Sequence, residues 1–278
     1  MVSFIADDRS WSAGRTSARV RCVMGDNPSP MTYTGTNTWI VSEPGSSSCL
    51  IIDPAPEGAH IDRVCAACEE EGCSVGAIAV THGHFDHTEG APELARRYSC
   101  PVYAPDVSLL SHLAIDDLRP LGEGPFAPFE GSPRMRVCTL PGHSSDSVAL
   151  ILLDEKAAFT GDVVFSHGPT VVFHPDGVLG DYLASLDSID GWTREGLVNR
   201  LYPAHGRPVD DIARVVEATR EHRLERLSQI DEAIIAGVSP EPEALYDVVY
   251  EGVDPRLKEA SLRSIRAQLV YRGYGLEA

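Results

Sequence analysis

The stretch Val80-Thr-His-Gly-His-Phe-Asp-His-Thr-Glu-Gly90 constrains this chain more than any other. Three histidines and one aspartate fall between positions 82 and 87, directly after the run Val75 to Val80. A short apolar run of that kind reads as a buried strand, which puts the polar groups on a turn at its C-terminal end. No ordinary core or surface element needs this grouping. It is either a metal site or an incidental polar loop, and the rest of the chain decides between them by supplying further ligands or failing to.

Three more groups sit in the same kind of place. His143 follows Val137-Cys-Thr-Leu140 in Pro-Gly-His-Ser, Asp162 follows Ala158-Phe-Thr160 in Thr-Gly-Asp, and His205 follows Leu201-Tyr202 in Pro-Ala-His-Gly. With His82, His84, Asp86 and His87 this makes seven groups just past strand ends, each beside glycine or proline. Loops at one edge of a sheet can converge on one point. Mixed imidazole and carboxylate donors suit zinc, iron or manganese more than calcium or magnesium. The bland alternative makes His143 and His205 hydrogen-bonded surface histidines, and the full string argues against it.

Seven ligands exceed what one tetrahedral zinc uses, so the reading is two adjacent ions, two Zn2+ with iron or manganese as alternatives. Spacing suggests His82, His84 and His143 on one, Asp86, His87 and His205 on the other, and Asp162 bridging. Two ions about 3.5–4 Å apart share a water and lower its pKa from roughly 15.7 toward about 7. The resulting hydroxide attacks a carbonyl or phosphorus without a protein nucleophile, and Asp86 and Asp162 are the expected catalytic residues. Ser144, Ser145 and Ser147 lack a Gly-x-Ser-x-Gly setting and read as turn or supporting residues. Of the other histidines, His60, His112, His167 and His222 read as surface or helix-side groups, while His174, after an apolar run, is a weaker candidate to face substrate.

The remaining signals set the frame. With 278 residues and 43% hydrophobic content the chain can bury a substantial core. Its net charge of -18 disfavours nonspecific wrapping of nucleic acid, which needs a broad basic surface. Met1 to Arg19 holds no apolar signal core and no long apolar run occurs anywhere, so a soluble, cytoplasmic protein without membrane contact is expected. The odd count of seven cysteines then reads as reduced thiols. Cys65 and Cys68 fall on the apolar stripe of a helix with Ile61 and Val64, as small buried hydrophobes.

Along the chain, strands are expected at Val20 to Met24, Thr36 to Ser42, Cys49 to Asp53, Val75 to Val80, Cys100 to Tyr103, Met135 to Leu140, Val148 to Leu153, Ala157 to Gly161 and Arg200 to Pro203. Helices are expected at His60 to Gly72, Ala91 to Tyr98 and around Asp181 to Ile189. Arg119 to Arg134, with four prolines and three glycines, reads as a long irregular connection, either a lid or a plain hairpin excursion. From Pro208 the pattern turns helical, at Val209 to Ile235, Glu241 to Tyr250 and Pro255 to Tyr271. Two units follow: residues 1–207 as the catalytic domain and 208–278 as a small helical domain.

These residues resemble the metallo-β-lactamase superfamily, matched by Asp53, His82-x-His84-x-Asp86-His87, His143, Asp162 and His205 across residues 20 to 206. The resemblance implies an α/β fold, an αββα sandwich with metals at one edge, and Asp53 as a structural support rather than a ligand. Asn27-Pro-Ser-Pro-Met-Thr-Tyr-Thr-Gly-Thr-Asn-Thr-Trp39, with His222-Arg-Leu-Glu-Arg226 in the tail, is similar to the β-lactamase-like protein 2 group. That group implies a winged-helix-like C-terminal domain, and one of its branches cleaves single-stranded RNA. Asp162 in place of a frequent cysteine disfavours β-lactam hydrolysis. Glyoxalase II shares all seven ligands.

The expectation is a two-metal hydrolase of a thioester or other ester-type small molecule. An endoribonuclease acting on single-stranded RNA is the alternative, favoured by Arg256, Lys258, Arg263, Arg266 and Arg272 in the tail. An iron-containing oxidoreductase or a non-catalytic metalloprotein is a third. The tail's periodicity is silent on whether it dimerises, shapes the pocket or grips nucleic acid, so the oligomeric state stays open.

Overall fold

The computed structural model describes residues 11–274; the first ten residues of the N-terminal stretch read above, and the last four of the tail, lie outside them. Two sheets form the centre. The first runs, in spatial and chain order, β1 (Gly14–Arg15), β2 (Val20–Met24), β3 (Asn37–Val41), β4 (Ser48–Ile52), β5 (Ser74–Ala79), β6 (Val102–Ala104) and β7 (Leu118–Pro120). The second contains β8 (Gly124–Phe126), β9 (Met135–Thr139), β10 (Val148–Leu152), β11 (Ala157–Gly161) and β12 (Arg200–Pro203), in spatial order β12-β11-β10-β9-β8. β1 to β4 pair antiparallel, whereas β4 to β7 pair parallel.

Alternation along the strands builds the layers, because successive side chains point to opposite faces. Leu50 and Ile52 of β4 join Trp39, Val137, Leu150, Phe159 and Tyr202 in a core between the sheets. Cys49 and Ile51 face the other way, against Ile61, Val64 and Cys68 of helix α1 (Ala59–Glu70). Across the molecule, Ala149, Ile151 and Leu201 turn outward onto Leu179, Tyr182, Leu186 and Ile189 of a later helix and Ile212, Val215 and Val216 of the tail. Helix, sheet, sheet, helix is therefore the layer order, as the resemblance implied. Trp39, Phe159 and Tyr202 knit the central core, with ring centroids 4.8 to 5.8 Å apart.

Helices α2 (Phe85–Thr88) and α3 (Ala91–Tyr98) follow β5, and α4 (Leu179–Arg194) precedes β12. α4 outruns its expected end because Gly191 and Thr193 in its last turns mute the helical pattern. The 119–134 segment holds a hairpin in its second half, where β8 turns back antiparallel onto β9. It is also the crossover between the sheets, since β7 adds to the first at β6 and β8 to the second at β9. Strands of three residues containing proline show too little alternation to be read.

The tail forms α5 (Ile212–Ile235), α6 (Pro242–Val249), a short 3-10 turn (Pro255–Leu257) and α7 (Lys258–Tyr271); among the described residues no strand follows β12. α5 starts in the outer core of the sandwich and ends in a separate cluster, where Ile230 and Ala233 pack with Leu245, Val249, Ile265 and Leu269. Among the described residues no helix is long and apolar enough to cross a membrane. The seven cysteines are free thiols. Cys68 is buried and Cys65 partly so, with Cys49 Sγ 3.7 Å from Cys68 Sγ in the core under α1.

Candidate metal centre

Five strand ends deliver the site. β4 leads into Asp53, β5 into Thr81 to His87, β9 into His143, β11 into Asp162 and β12 into His205. All seven expected residues come together. Ligand atoms of His82, His84 and His143, of His82, His87 and Asp162, and of Asp86, His87 and His205 each lie within 4.8 Å of one another. His84 Nδ1 is 2.9 Å from His82 Nε2 and 3.0 Å from His143 Nε2. Asp162 Oδ1 is 3.3 Å from both His87 Nε2 and His205 Nε2, and its Oδ2 is 3.6 Å from His143 Nε2. Asp86 completes the group, 3.5 Å from His205 Nε2 and 3.8 Å from His87 Nε2.

The ring atoms facing away from the cluster are tied to the protein. His87 Nδ1 donates to Asp53 Oδ2 (3.0 Å), His143 Nδ1 to the Val171 carbonyl (2.6 Å) and His205 Nδ1 to the Gly35 carbonyl (3.3 Å). Thr81 spends its hydroxyl proton on Asp53 Oδ2 (2.8 Å), so its oxygen is left to accept from His82 Nδ1 at 3.1 Å. Such outer hydrogen bonds fix the tautomer and aim the opposite ring nitrogen inward. Asp53 is thus a support, as the resemblance implied; it also accepts the Thr81 backbone N–H at 2.7 Å.

A cation fits the cluster. His87 Nε2, Asp162 Oδ1 and His205 Nε2 are buried yet have no hydrogen-bond partner, and buried polar atoms are rarely left so. His82 Nε2 and His143 Nε2, whose partner nitrogens are tied outward, turn their lone pairs inward toward His84 Nδ1, a donor set that a cation can share. The electrostatics divide the cluster in two. Burial and neighbouring histidines hold His82 well below the usual imidazole range, while burial takes His143 down to about 4 despite Asp162. In the other half burial opposes every charge, but the attraction between Asp162, His87 and His205 outweighs it. His205 rises to about 9, His87 lies well above its ordinary value, and Asp162 lies well below the carboxylate range. One half holds His82 and His143 as neutral nitrogen donors, and the other sets the carboxylates of Asp86 and Asp162 against the imidazoles of His87 and His205.

Beyond Asp53, Ser144, Ser145 and Ser147, the supporting residues were not singled out from the sequence, because their partners are remote along the chain. Asp146 accepts the Gly83 N–H (2.8 Å) and the Ser144 hydroxyl (2.7 Å), pinning the turn that carries His82 and His84. Ser144 and Ser147 bond to each other, so both act in the turn as expected. Gly161 takes φ +51, and a Cβ there would meet Thr81 Oγ1 at 2.5 Å; only glycine lets Asp162 approach so closely. The Asn27 to Trp39 stretch also acquires a role. Thr36 Oγ1 bonds the Asp86 carbonyl, and Asn37 Nδ2 bonds the carbonyls of Pro203 and Gly206 on either side of His205. In the 172–177 segment it is Phe173, not His174, that packs against His84 and His143.

A cavity of about 320 Å³ opens beside His143 and Asp162. Pro30, Met31, Phe165 and Val171 line one side, and the tail lines the other with Arg223, Arg226, Tyr250, Val253, Leu257 and Ala260. His222, expected at the surface or on a helix side, is on a helix but lines this cavity. His60 is a helix-side group as expected, buried on α1, whereas His167 is on no helix and is buried against Tyr33, a cavity residue.

The family described as the Metallo-beta-lactamase superfamily matches residues 31–205. An atrochrysone carboxyl ACP thioesterase, dmxR1, of Cryptosporiopsis sp. (strain 8999) is 34% identical over 224 residues, covering 78% of this chain and 63% of that protein. The lactamase-like protein nscB of Aspergillus fumigatus is 34% identical over 216 residues, covering 77% and 61%. The chain thus spans less than two thirds of the length of these curated relatives. Among solved structures, a metallo-beta-lactamase family protein of Thermus thermophilus shares the fold, with TM-score 0.73 and 19% identity over 92% of this chain and 94% of that one.

Proposed function

This chain belongs to the metallo-beta-lactamase superfamily, and we propose on that footing that it hydrolyses a thioester at a pair of divalent cations, zinc first. His82, His84 and His143 would hold one, Asp86, His87 and His205 the other, with Asp162 between them. The observation that carries this reading is the cluster itself, seven convergent donors with three buried atoms lacking a hydrogen-bond partner. When bound, such a pair supplies Lewis acidity and makes water nucleophilic at neutral pH.

The chain's own groups do the rest. Asp162 joins the two halves, touching His87, His143 and His205. Asp86 has the more open of the cluster's two carboxylates, with its side chain 31% exposed, and would accept the proton of the water that adds to the acyl carbon. The cavity's apolar side excludes water and seats an acyl group against His143. The tail, through residues between His222 and Ser264, forms one wall of that cavity.

Two facts favour an acyl thioester over RNA. The relative from Cryptosporiopsis bears a thioesterase name, and the five basic residues that favoured RNA, near the end of the tail, are engaged. Arg256, Arg263, Arg266 and Arg272 face Asp254, Glu259, Glu243 and Asp231, and Lys258 stacks on Tyr246. Metal analysis with a thioester panel and a single-stranded RNA tests the reading in wild type and His84→Ala. Thioester cleavage that falls together with metal content in the variant is the expected result. A variant with full metal and full activity, or wild type cleaving RNA alone, overturns it.

A further inference from the structure

Most arginines of this acidic chain lie on carboxylates, from Arg19 on Glu43 and Arg97 on Asp62 to Arg200 on Asp210 and Arg272 on Asp231. Arg223 and Arg226, the two arginines of the cavity, do not. Arg223 is 4% exposed. Its Nη2 donates to the Thr170 carbonyl, its guanidinium carbon lies 5.3 Å from the Tyr182 ring centroid, and its Nε has no partner. Arg226, one turn along α5, gives Nη1 to Gln229 Oε1 and the Val249 carbonyl and stacks on Tyr250 at 4.8 Å. Among the described residues neither has an ion-paired carboxylate.

Burying a cation without a counter-charge is costly, and a guanidinium has five N–H donors to satisfy. Each of these two commits one nitrogen to neutral acceptors. The acidic side chain lining the cavity is Asp162, which is already engaged by His87, His143 and His205. Two positive charges therefore line a largely apolar cavity that opens onto the metal centre. His222 beside them reports the same field: burial first, then the two guanidinium groups, lower it to about 3.

Resting on the thioesterase reading, we propose that Arg223 and Arg226 form an oxyanion subsite, so that the substrate is a thioester carrying a carboxylate or phosphate bound by these guanidinium groups. Planar guanidinium forks suit both oxyanions. The carboxylate would come from the acyl end and the phosphate from the thiol carrier, and the test separates them.

In one arm, N-acetylcysteamine thioesters of a long dicarboxylic acid are compared with their methyl-capped forms. In the other, a neutral acyl group is presented on pantetheine and on phosphopantetheine. The anionic member of at least one pair should have a kcat/KM higher by about tenfold or more, the scale of a charged hydrogen bond. That ratio should fall toward one in Arg226→Gln, recover in Arg226→Lys, and shrink with added salt in wild type, where no variant has to fold. Calorimetric binding of the free diacid against its monomethyl ester reads the subsite without turnover. If no thioester is cleaved but the diacid is still preferred, the thioesterase reading fails and the subsite stands. Equal handling of anionic and neutral members in both arms and in binding, or a preference that Arg226→Gln leaves intact, overturns the subsite.

Discussion

His87 Nδ1 lies 3.0 Å from Asp53 Oδ2, and both side chains are almost wholly buried. Asp53 sits at φ +53, a left-handed conformation uncommon for a residue with a Cβ, and its carboxylate is the hub that also holds the Thr81 amide and hydroxyl. Asp53→Ala would leave a buried imidazole N–H and a buried amide without acceptors. We expect a loss of about 3 kcal/mol or more in urea denaturation and metal affinity weakened by about 10–100-fold, read by competition with a chelator. Unchanged affinity would mean that His87 needs no support.

Gly161→Ala tests the close approach of the β11 end to Thr81. A Cβ at φ +51 meets Thr81 Oγ1, and that oxygen cannot withdraw because Asp53 and His82 engage it. The expected cost is roughly 1–3 kcal/mol, with metal retention reduced because Asp162 is the next residue. A thermal melt and metal content equal to wild type would contradict this.

The strand ends and their seven polar groups were legible because β5, β11 and β12 are largely buried, β9 alternates, and a glycine or proline lies at or within a few residues of each end. The layers came from the resemblance instead, because β4 is apolar almost throughout and only the structure shows that Leu50 and Cys49 enter opposite cores. What could not be read depends on residues meeting from far apart. Arg223 touches the carbonyl of Thr170, and Thr170 in turn lies beside His143, yet nothing local in His222-Arg-Leu-Glu-Arg226 signals this. The three-residue strands β7 and β8 carry too few side chains to show a period, so a crossover between sheets looked like a single irregular loop.

His60 supplies a pH signature of the fold itself. Thr38 Oγ1 donates to the Asp53 carbonyl and therefore accepts from His60 Nε2 at 2.8 Å, while Arg63 approaches Nδ1. Burial first, and Arg63 second, lower this histidine from 6.5 to about 4. Below pH 6.5 the unfolded chain binds the proton and the folded one does not, so this contribution erodes from about pH 6.5 and levels off below about 4. Denaturation of wild type and His60→Gln across that window should show their stability difference narrowing by about 3 kcal/mol. A difference independent of pH would contradict the neutral, buried imidazole.

The central claim is hydrolysis by paired cations at the seven-residue cluster. Its most direct test is thiol release from an acyl thioester by chelated protein titrated with zinc. The account predicts negligible release after chelation and recovery that is complete only with the second equivalent per chain. Full activity in the chelated protein, or complete recovery at one equivalent, would contradict it.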